Sequence, residues 1–284
     1  MTTTRRVLIA NGIVQGVGFR PFVKRLASSL PLSGTVQNTT RGVKIEIQGE
    51  PDALELFSTR LLAELPPSAA VLSLSSEEIS AVDGEKCFNI VASGIDPVSS
   101  VIIPPDIALC QKCASEISDS ADRRFGYPFA NCTDCSPRYT IIEKIPYDRP
   151  NTSMAAFKMC EDCEKEYGDE ENRRFHAQPN ACPACGPKLS ALDADFRQIE
   201  GDPLKKAAEN LSKGGVVALL GIGGFHLACD AASQEAVDLL RERKKRPGKP
   251  FAVMARDAQA AKELATLSEE AALQELQSPA APII

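Results

Sequence analysis

The feature that most constrains this chain is a duplicated pattern of cysteine pairs in its middle third. Eight of the ten cysteines form four Cys-x-x-Cys pairs, separated by 18, 24 and 18 residues. The second half of the pattern repeats the first fifty positions later, and an Arg-Arg-Phe run at 123–125 recurs at 173–175 in the same register. Such a match predicts two copies of one small module. The pairs are Cys110 and Cys113, Cys132 and Cys135, Cys160 and Cys163, and Cys182 and Cys185.

Each copy of the module has the ligands of one closed zinc site. Two residues between cysteines allow both sulfurs to reach one ion, and two such pairs complete the tetrahedron that Zn²⁺ prefers. Eight cysteines leave no open coordination position, which is typical of structural rather than catalytic zinc. The duplication favours pairing within each repeat, although pairing across the repeats stays open. Redox-active cysteines are disfavoured, because thioredoxin-type proteins carry a single Cys-x-x-Cys pair and not a duplicated array. His176 is interpreted as a residue near the sites rather than a ligand, since the cysteines already fill both sites.

The charge distribution argues against a nucleic-acid partner. The formal net charge is −6, and residues 94–195 contain eleven basic and seventeen acidic residues. An acidic middle segment opposes binding to a phosphate backbone, and a chain without tryptophan offers little stacking surface. No apolar run is long enough for a signal peptide or a membrane span, so we expect no membrane association and a cytoplasmic location. In that reducing compartment, cysteines favour metal binding over disulfides.

The first 93 residues have the order of elements of a ferredoxin-like βαββαβ sandwich. Hydrophobic periodicity predicts strands at 7–14, 35–38, 43–48, 72–79 and 87–92, and helices at 21–30 and 51–65. The first strand runs into the segment Gln15-Gly16-Val17-Gly18-Phe19-Arg20, directly before the first helix. Glycines bring backbone N–H groups close to an anion, the helix N-terminus adds its dipole, and arginine adds donors suited to phosphate. An ordinary glycine turn is the alternative.

This segment resembles the acylphosphatase signature. The next strand reads Gly34-Thr35-Val36-Gln37-Asn38, which puts Asn38 where that family carries the asparagine that positions the attacking water. The resemblance implies that Arg20 and Asn38 are the catalytic residues, with Arg20 holding the phosphate of an acyl phosphate. Gly18, where the stand-alone enzymes often have a bulky residue, and Arg41-Gly42, in place of the more usual Asp-Gly turn, depart from the family but leave this pair intact. The implied substrate-binding residues are Gln15, Gly16, Val17, Gly18 and Phe19.

The last segment, 198–284, is predicted to form an α/β domain. Helices at 204–211 and 231–243 alternate with strands at 214–221 and 251–255. The strand at 214–221 is apolar and is expected to be buried. The stretch 221–232 and the basic run that follows the second helix resemble the YrdC-like domain, which binds ATP and makes acyl-adenylates. The resemblance implies that Lys244, Arg246 and Lys249 contact the nucleotide phosphates and that His226 lies at the pocket mouth. A solvated basic helix end is the alternative.

The order of these segments resembles that of the HypF carbamoyltransferases. It implies an α+β multidomain chain: an acylphosphatase-like domain at 1–93, a linker at 94–108, a duplicated zinc-finger domain at 109–190, and a partial YrdC-like domain at 198–284. In that family, carbamoyl phosphate and ATP, with Mg²⁺, give carbamoyl-adenylate, and the carbamoyl group passes to the C-terminal cysteine of HypE during [NiFe]-hydrogenase maturation. We expect the last domain to be truncated and the transferase domain to be absent, so this chain alone would not complete the transfer.

Two alternatives belong to other functional classes. The first is an acylphosphatase with an appended structural zinc module, which predicts hydrolysis of acyl phosphates without any dependence on ATP. The second is a zinc-dependent RNA-binding module, which predicts RNA binding that weakens as salt rises. The acidic middle segment and the few aromatic residues argue against RNA binding.

Overall fold

The chain divides into two compact units, residues 1–187 and 188–284. The structure, a computed structural model, describes residues 3–96, 99–221, 224–266 and 270–284. The first unit contains the predicted sandwich and both cysteine modules, whereas the second contains the predicted α/β segment. The sandwich and the cysteine modules therefore form one compact unit.

The first unit opens with the predicted βαββαβ arrangement. A five-stranded sheet has the order β4-β1-β3-β2-β5, in which β2 and β5 are parallel and every other pair is antiparallel. The two helices share one hydrophobic core with this sheet. The ferredoxin-like prediction is thus confirmed. The elements are β1 Thr4–Ile13, α1 Phe19–Ser28, β2 Ser33–Thr39, β3 Gly42–Gly49, α2 Pro51–Ala63, β4 Ala70–Ile79 and β5 Phe88–Ile90.

Periodicity explains how these elements bury their apolar faces. In α2, Leu54, Phe57 and Leu61 lie on one stripe and are almost completely buried. Helix α1 begins two residues earlier than predicted, so Pro21 is its third residue. Proline is tolerated there because the first four N–H groups of a helix have no acceptor within the helix. The basic residue before it, Arg20, is consequently held in the first helical turn.

The cysteine modules contain little regular structure. Two short helices, α3 Gln111–Ser118 and α4 Glu161–Gly168, each begin directly after the first cysteine of a pair. The remainder is loops, two 3₁₀ turns and a small apolar cluster around Tyr127 and Met154. A core of this size is small for some eighty residues, which explains why hydrophobic periodicity is weak there.

The segment predicted as a linker is packed against the sheet where the structure describes it. The Gly94 N–H donates to the Asn38 carbonyl, and the Ser100 N–H donates to the Thr40 carbonyl, both at 2.9 Å. These bonds continue the edge of β2 beyond its end. Residues 97 and 98 of this segment lie outside the described residues.

The second unit confirms the predicted helices at 204–211 and 231–243 and corrects two strand predictions. Strand β8 (Val217–Gly221) pairs with β9 (Gly224–Ala228) as an antiparallel hairpin. Leu220 is 69% exposed, so the apolar run at 214–221 is not buried. Residues 251–255 form no strand. Apolar strands need cover on both faces, whereas the described residues of this unit bury only Ala236 and Leu240. The elements are β6 Ala191–Leu192, β7 Gln198–Ile199, α5 Pro203–Ser212, β8 Val217–Gly221, β9 Gly224–Ala228, α6 Gln234–Lys244, α7 Ala258–Leu264 and α8 Glu270–Leu276. Residues 222 and 223, part of the YrdC-like resemblance, lie outside the described residues.

Candidate active site and metal clusters

The glycine loop between β1 and α1 adopts a conformation that other residues rarely take. Gly16 and Gly18 have φ angles of 70° and 72°, in the left-handed region. Gly18 also caps α1, so the free N–H groups of the first helical turn face the loop. A Cβ atom on Gly16 would lie 3.3 Å from the side chains of Arg138 and Tyr147. Conformation and close packing therefore both require glycine at this position.

Arg20 and Asn38 line one pocket next to this loop. Arg20 lies in the first turn of α1, and Asn38 is the second-last residue of β2. The Asn38 Nδ2 donates to the Tyr147 carbonyl at 3.1 Å, while its Oδ1 is buried without a partner among the described residues. An unsatisfied buried acceptor costs about 1–3 kcal/mol. The pocket therefore holds a cation, the N-terminus of a helix and a vacant hydrogen-bond acceptor.

The opposite wall of the pocket comes from the cysteine modules. Asp148 Oδ1 lies 2.7 Å from Arg20 Nη2, and the Ser93 hydroxyl donates to the same carboxylate. Thr133 and His176 also line the pocket. The Asp148 carboxylate thus occupies one edge of the guanidinium group that an anionic ligand would use. No local sequence pattern indicates Thr133, Asp148 or His176 as neighbours of Arg20, because each lies more than 100 positions away from it.

Two of the five predicted substrate-binding residues have side chains that do not line the pocket. Gln15 donates from Nε2 to the Thr39 and Gly42 carbonyls, both at 2.8 Å, and accepts from the Tyr147 N–H at 2.9 Å. Val17 is 2% exposed and belongs to the hydrophobic core. Their side chains hold the loop in place, because a buried amide must satisfy its own hydrogen bonds. Gly16, Gly18 and Phe19 do line the pocket.

The eight paired cysteines form two four-sulfur clusters, one in each repeat. Each cluster has its ligand atoms within 4.8 Å of one another. Neighbouring sulfurs are 3.6–3.9 Å apart in the first cluster and 3.6–3.8 Å in the second. A tetrahedron with Zn–S bonds of about 2.3 Å has sulfurs about 3.8 Å apart. The arrangement fits zinc, the pairing is within each repeat, and His176 belongs to neither cluster.

The Arg-Arg-Phe runs connect the two clusters reciprocally. Arg173 of the second repeat donates to Cys113 Sγ of the first repeat at 3.1 and 3.2 Å. In the same way, Arg123 of the first repeat donates to Cys163 Sγ of the second at 3.3 Å. Hydrogen bonds to ligand sulfurs orient them and offset the negative charge of a four-thiolate site. Each cluster is therefore completed by an arginine from the other repeat.

The second arginine of each run binds a glutamate of the other repeat. Arg124 makes two hydrogen bonds to Glu166, at 2.9 and 2.6 Å, and Arg174 makes the matching pair to Glu116. Both guanidinium groups are almost completely buried. Burial opposes ionisation of the two glutamates, but the hydrogen bonds from Arg124 and Arg174 outweigh it and lower the pKa of each carboxyl to about 2. The two repeats are thus held together by two equivalent buried ion pairs.

The predicted nucleotide-binding residues lie at the end of α6 and on the β-hairpin of the second unit. Lys244 ends α6, and Arg246 donates back to the Pro250 carbonyl at 2.9 Å, so the basic run curls into a tight loop that includes Lys249. His226 is exposed on β9, opposite Leu219. No hydrogen bond joins the His226 side chain to this loop within the described parts of the chain.

Comparison with known families matches each of these segments. The acylphosphatase model matches residues 6–90, the HypF finger model matches 109–142 and 159–192, and the Sua5/YciO/YrdC model, described as telomere recombination, matches 209–283. No helix among the described residues is long and apolar enough to cross a membrane. The sheet, glycine loop and pocket are therefore those of an acylphosphatase-like domain joined to a paired cysteine module.

Longer relatives extend this match over most of the chain. This chain is 50% identical over 254 residues to carbamoyltransferase HypF2 of Cupriavidus necator, and the match covers 89% of this chain and 32% of that protein. This chain is 52% identical over 278 residues to carbamoyltransferase HypF of Rhizobium leguminosarum bv. viciae, and the match covers 98% of this chain and 34% of that protein. A crystal structure of full-length HypF in the phosphate- and nucleotide-bound form superposes with a TM-score of 0.91 at 43% identity, covering 98% of this chain and 36% of that one.

The chain belongs to the HypF family, and it spans about a third of the length of the relatives that it matches. Neither an isolated acylphosphatase with an added metal module nor an RNA-binding module is favoured, because the similarity to HypF proteins runs through all three segments.

Proposed function

We propose that this chain provides the carbamoyl phosphate site of a carbamoyltransferase that acts in [NiFe]-hydrogenase maturation. The observation that carries the proposal is the pocket in which Arg20 and the partnerless Oδ1 of Asn38 lie beside the N-terminus of α1. Arg20 and the N–H groups of the loop from Gln15 to Phe19 hold the phosphoryl group. Asn38 orients the water that attacks it. These are the catalytic and substrate-binding roles that the acylphosphatase resemblance implies.

The proposed reaction in this pocket separates carbamate from phosphate. Water held at Asn38 attacks the phosphorus atom, the bond from phosphorus to the carbamoyl oxygen breaks, and the proton of the water leaves with the inorganic phosphate. Arg20 offsets the negative charge on the phosphoryl oxygens. It also offsets the negative charge that grows on the departing carbamate oxygen as the bond breaks. Carbamate is unstable in water, so the wall that the cysteine modules add to the pocket favours the reaction by limiting access of bulk solvent.

The second unit is proposed to use the carbamate. Lys244, Arg246 and Lys249 hold the phosphates of ATP bound with Mg²⁺, and His226 lies at the mouth of that site. In support, neither lysine forms an ion pair in the part of the chain that the structure describes, and the full-length relative was crystallised with a nucleotide. Carbamate and ATP then give carbamoyl-adenylate and pyrophosphate. The sulfur of the C-terminal cysteine of HypE takes the carbamoyl group, the bond from the carbamoyl carbon to the phosphate oxygen breaks, and AMP leaves. The proposed domains are 1–93, 109–190 and 198–284, with a linker at 94–108.

The two cysteine clusters are proposed to hold structural Zn²⁺. A bound ion would supply the cross-link that the small apolar cluster of this module lacks, and all four ligands in each site come from the chain. Thiolate ligands need a reducing compartment, so we place the protein in the cytoplasm.

The test is a paired measurement on the purified chain: zinc content, and phosphate release from carbamoyl phosphate with and without Arg20→Ala. Arg25→Ala is a matched control, because Arg25 lies on the same helix but is exposed. We expect two zinc ions per chain and release that Arg20→Ala reduces at least a hundredfold while Arg25→Ala leaves it unchanged. Release that does not depend on Arg20 would refute the assignment of the pocket, and a chain purified without zinc would refute the metal assignment.

A further inference from the structure

The second cysteine repeat contributes an imidazole to the acyl phosphate pocket. His176 follows directly after the Arg-Arg-Phe run and lines the pocket together with Arg20 and Asn38. Its ring packs against Phe175 and Tyr167, with ring centroids 4.6 and 5.0 Å apart. The ring nitrogens make no hydrogen bond to any described residue. The side chain is thus held in position by packing, and its polar atoms remain available to a ligand.

The duplication of the module provides an internal comparison for this residue. The equivalent position in the first repeat is Gly126, whose φ of 66° is close to the 56° of His176. The two turns are otherwise alike, since the Gly126 N–H donates to the Ile117 carbonyl and the His176 N–H to the Tyr167 carbonyl. A Cβ atom on Gly126 would meet nothing within 4 Å, so it faces open space.

The turn itself therefore favours glycine, and His176 is the strained member of the pair. A left-handed conformation costs a residue with a side chain about 1–2 kcal/mol relative to glycine. Strain of this kind persists where the side chain has a role. In this chain, the turn that faces open space has glycine and the turn that faces the pocket has histidine.

The charges around His176 suit an anionic ligand. Burial, followed by the positive charges of Arg20 and Lys24, lowers its pKa to about 4, while Asp148 and Glu170 oppose the shift. The imidazole is therefore neutral near pH 7 and offers one N–H donor. A phosphoryl group between Arg20 and the imidazole would accept that hydrogen bond, while Arg20 offsets its negative charge.

We propose that His176 is a substrate-binding residue that donates a hydrogen bond to a phosphoryl oxygen of the bound acyl phosphate. The inference rests on the proposed acyl phosphate site and adds to it a residue that lies outside the acylphosphatase-like segment. The second cysteine repeat then has two roles, because the loop that presents His176 also carries Arg173, which donates to Cys113 Sγ of the first cluster.

His176→Gly tests this proposal in the full chain. The substitution gives the second repeat the glycine of the first, so we expect an unchanged or higher melting temperature and unchanged zinc content. A hydrogen bond to a charged group contributes about 1.5–3 kcal/mol, so the Kd for inorganic phosphate, measured by calorimetry at pH 7, should rise by about 10- to 150-fold. His176→Asn, which tolerates the left-handed turn and keeps an N–H donor, should recover part of the affinity.

Gly126→His is the matched control, because it introduces the same strained residue at a position whose side chain would face open space. We expect it to lower the melting temperature and leave phosphate affinity unchanged. If His176→Gly binds phosphate like the parent chain while Arg20→Ala does not, the role of His176 is refuted and the acyl phosphate site stands. If affinity falls together with melting temperature or zinc content, His176 is structural and the proposal is wrong. If Arg20→Ala has no effect on binding, the proposed function itself fails.

Discussion

The buried ion pairs between the repeats predict that removing Arg124 weakens the metal cluster of the opposite repeat. Its guanidinium makes four hydrogen bonds of 2.6–3.0 Å, two to Glu166 and one each to the Ala181 carbonyl and Asn180. Breaking a buried pair by removing one partner costs about 3–5 kcal/mol, because the other charge stays buried. We expect Arg124→Met near the middle of this range, since Arg123 still contacts Glu166.

Zinc release is the appropriate assay because the chain contains no tryptophan for fluorescence. Release to a chromogenic chelator would be followed across a urea series, and the free energy of unfolding of the module extrapolated from it. Arg60→Ala is the matched control, because its pair with Glu64 is an exposed i,i+4 contact that contributes little to stability. A loss below about 1 kcal/mol for Arg124→Met, or loss of zinc from the first cluster before the second, would refute the reasoning.

Three further predictions concern the pocket and the metal. Asp148→Asn should tighten inorganic phosphate binding severalfold in calorimetry, because the carboxylate competes for Arg20; weaker binding would mean that Asp148 positions the arginine instead. The free energy of unfolding should fall as the pH drops from about 6.5 towards 4, since the unfolded chain protonates His176 while the folded chain keeps it neutral; urea titrations of His176→Gly should show a smaller slope in this range. Strong chelators should make residues 110–185 sensitive to protease and leave 3–92 resistant, and equal cleavage of both would contradict the separate core of the sheet.

Local pattern was sufficient for the parts of the fold in which neighbours in sequence are neighbours in space. The stripe of Leu54, Phe57 and Leu61 predicted α2, and the spacing of the cysteines predicted both clusters. The acylphosphatase resemblance alone pairs Arg20 with Asn38. In the structure the end of β2 and the start of α1 meet, and both residues line one pocket.

Other features could not be predicted, because they depend on which surfaces come together. The apolar run at 214–221 has the composition of a buried strand, yet burial depends on cover that its sequence does not specify. Residues 251–255 are also apolar, but Arg241 and Arg246 stack on the Phe251 ring, with centroid distances of 4.9 and 5.5 Å, and fix the start of the segment in a loop. In the same way, nothing local to Asp148 indicates a contact 128 positions away.

The contacts of the second repeat explain why the cysteine modules and the Arg20 pocket occur in one compact unit. Arg173 and Arg174 fix this loop against the first repeat, and His176, two residues further on, lines the pocket. Lys24 of α1 lies over the Phe175 ring at 5.8 Å and holds the same loop from the other side. A loop held by these contacts can keep a strained residue in place. The module is therefore suited to completing a pocket that the sheet domain leaves open on one side.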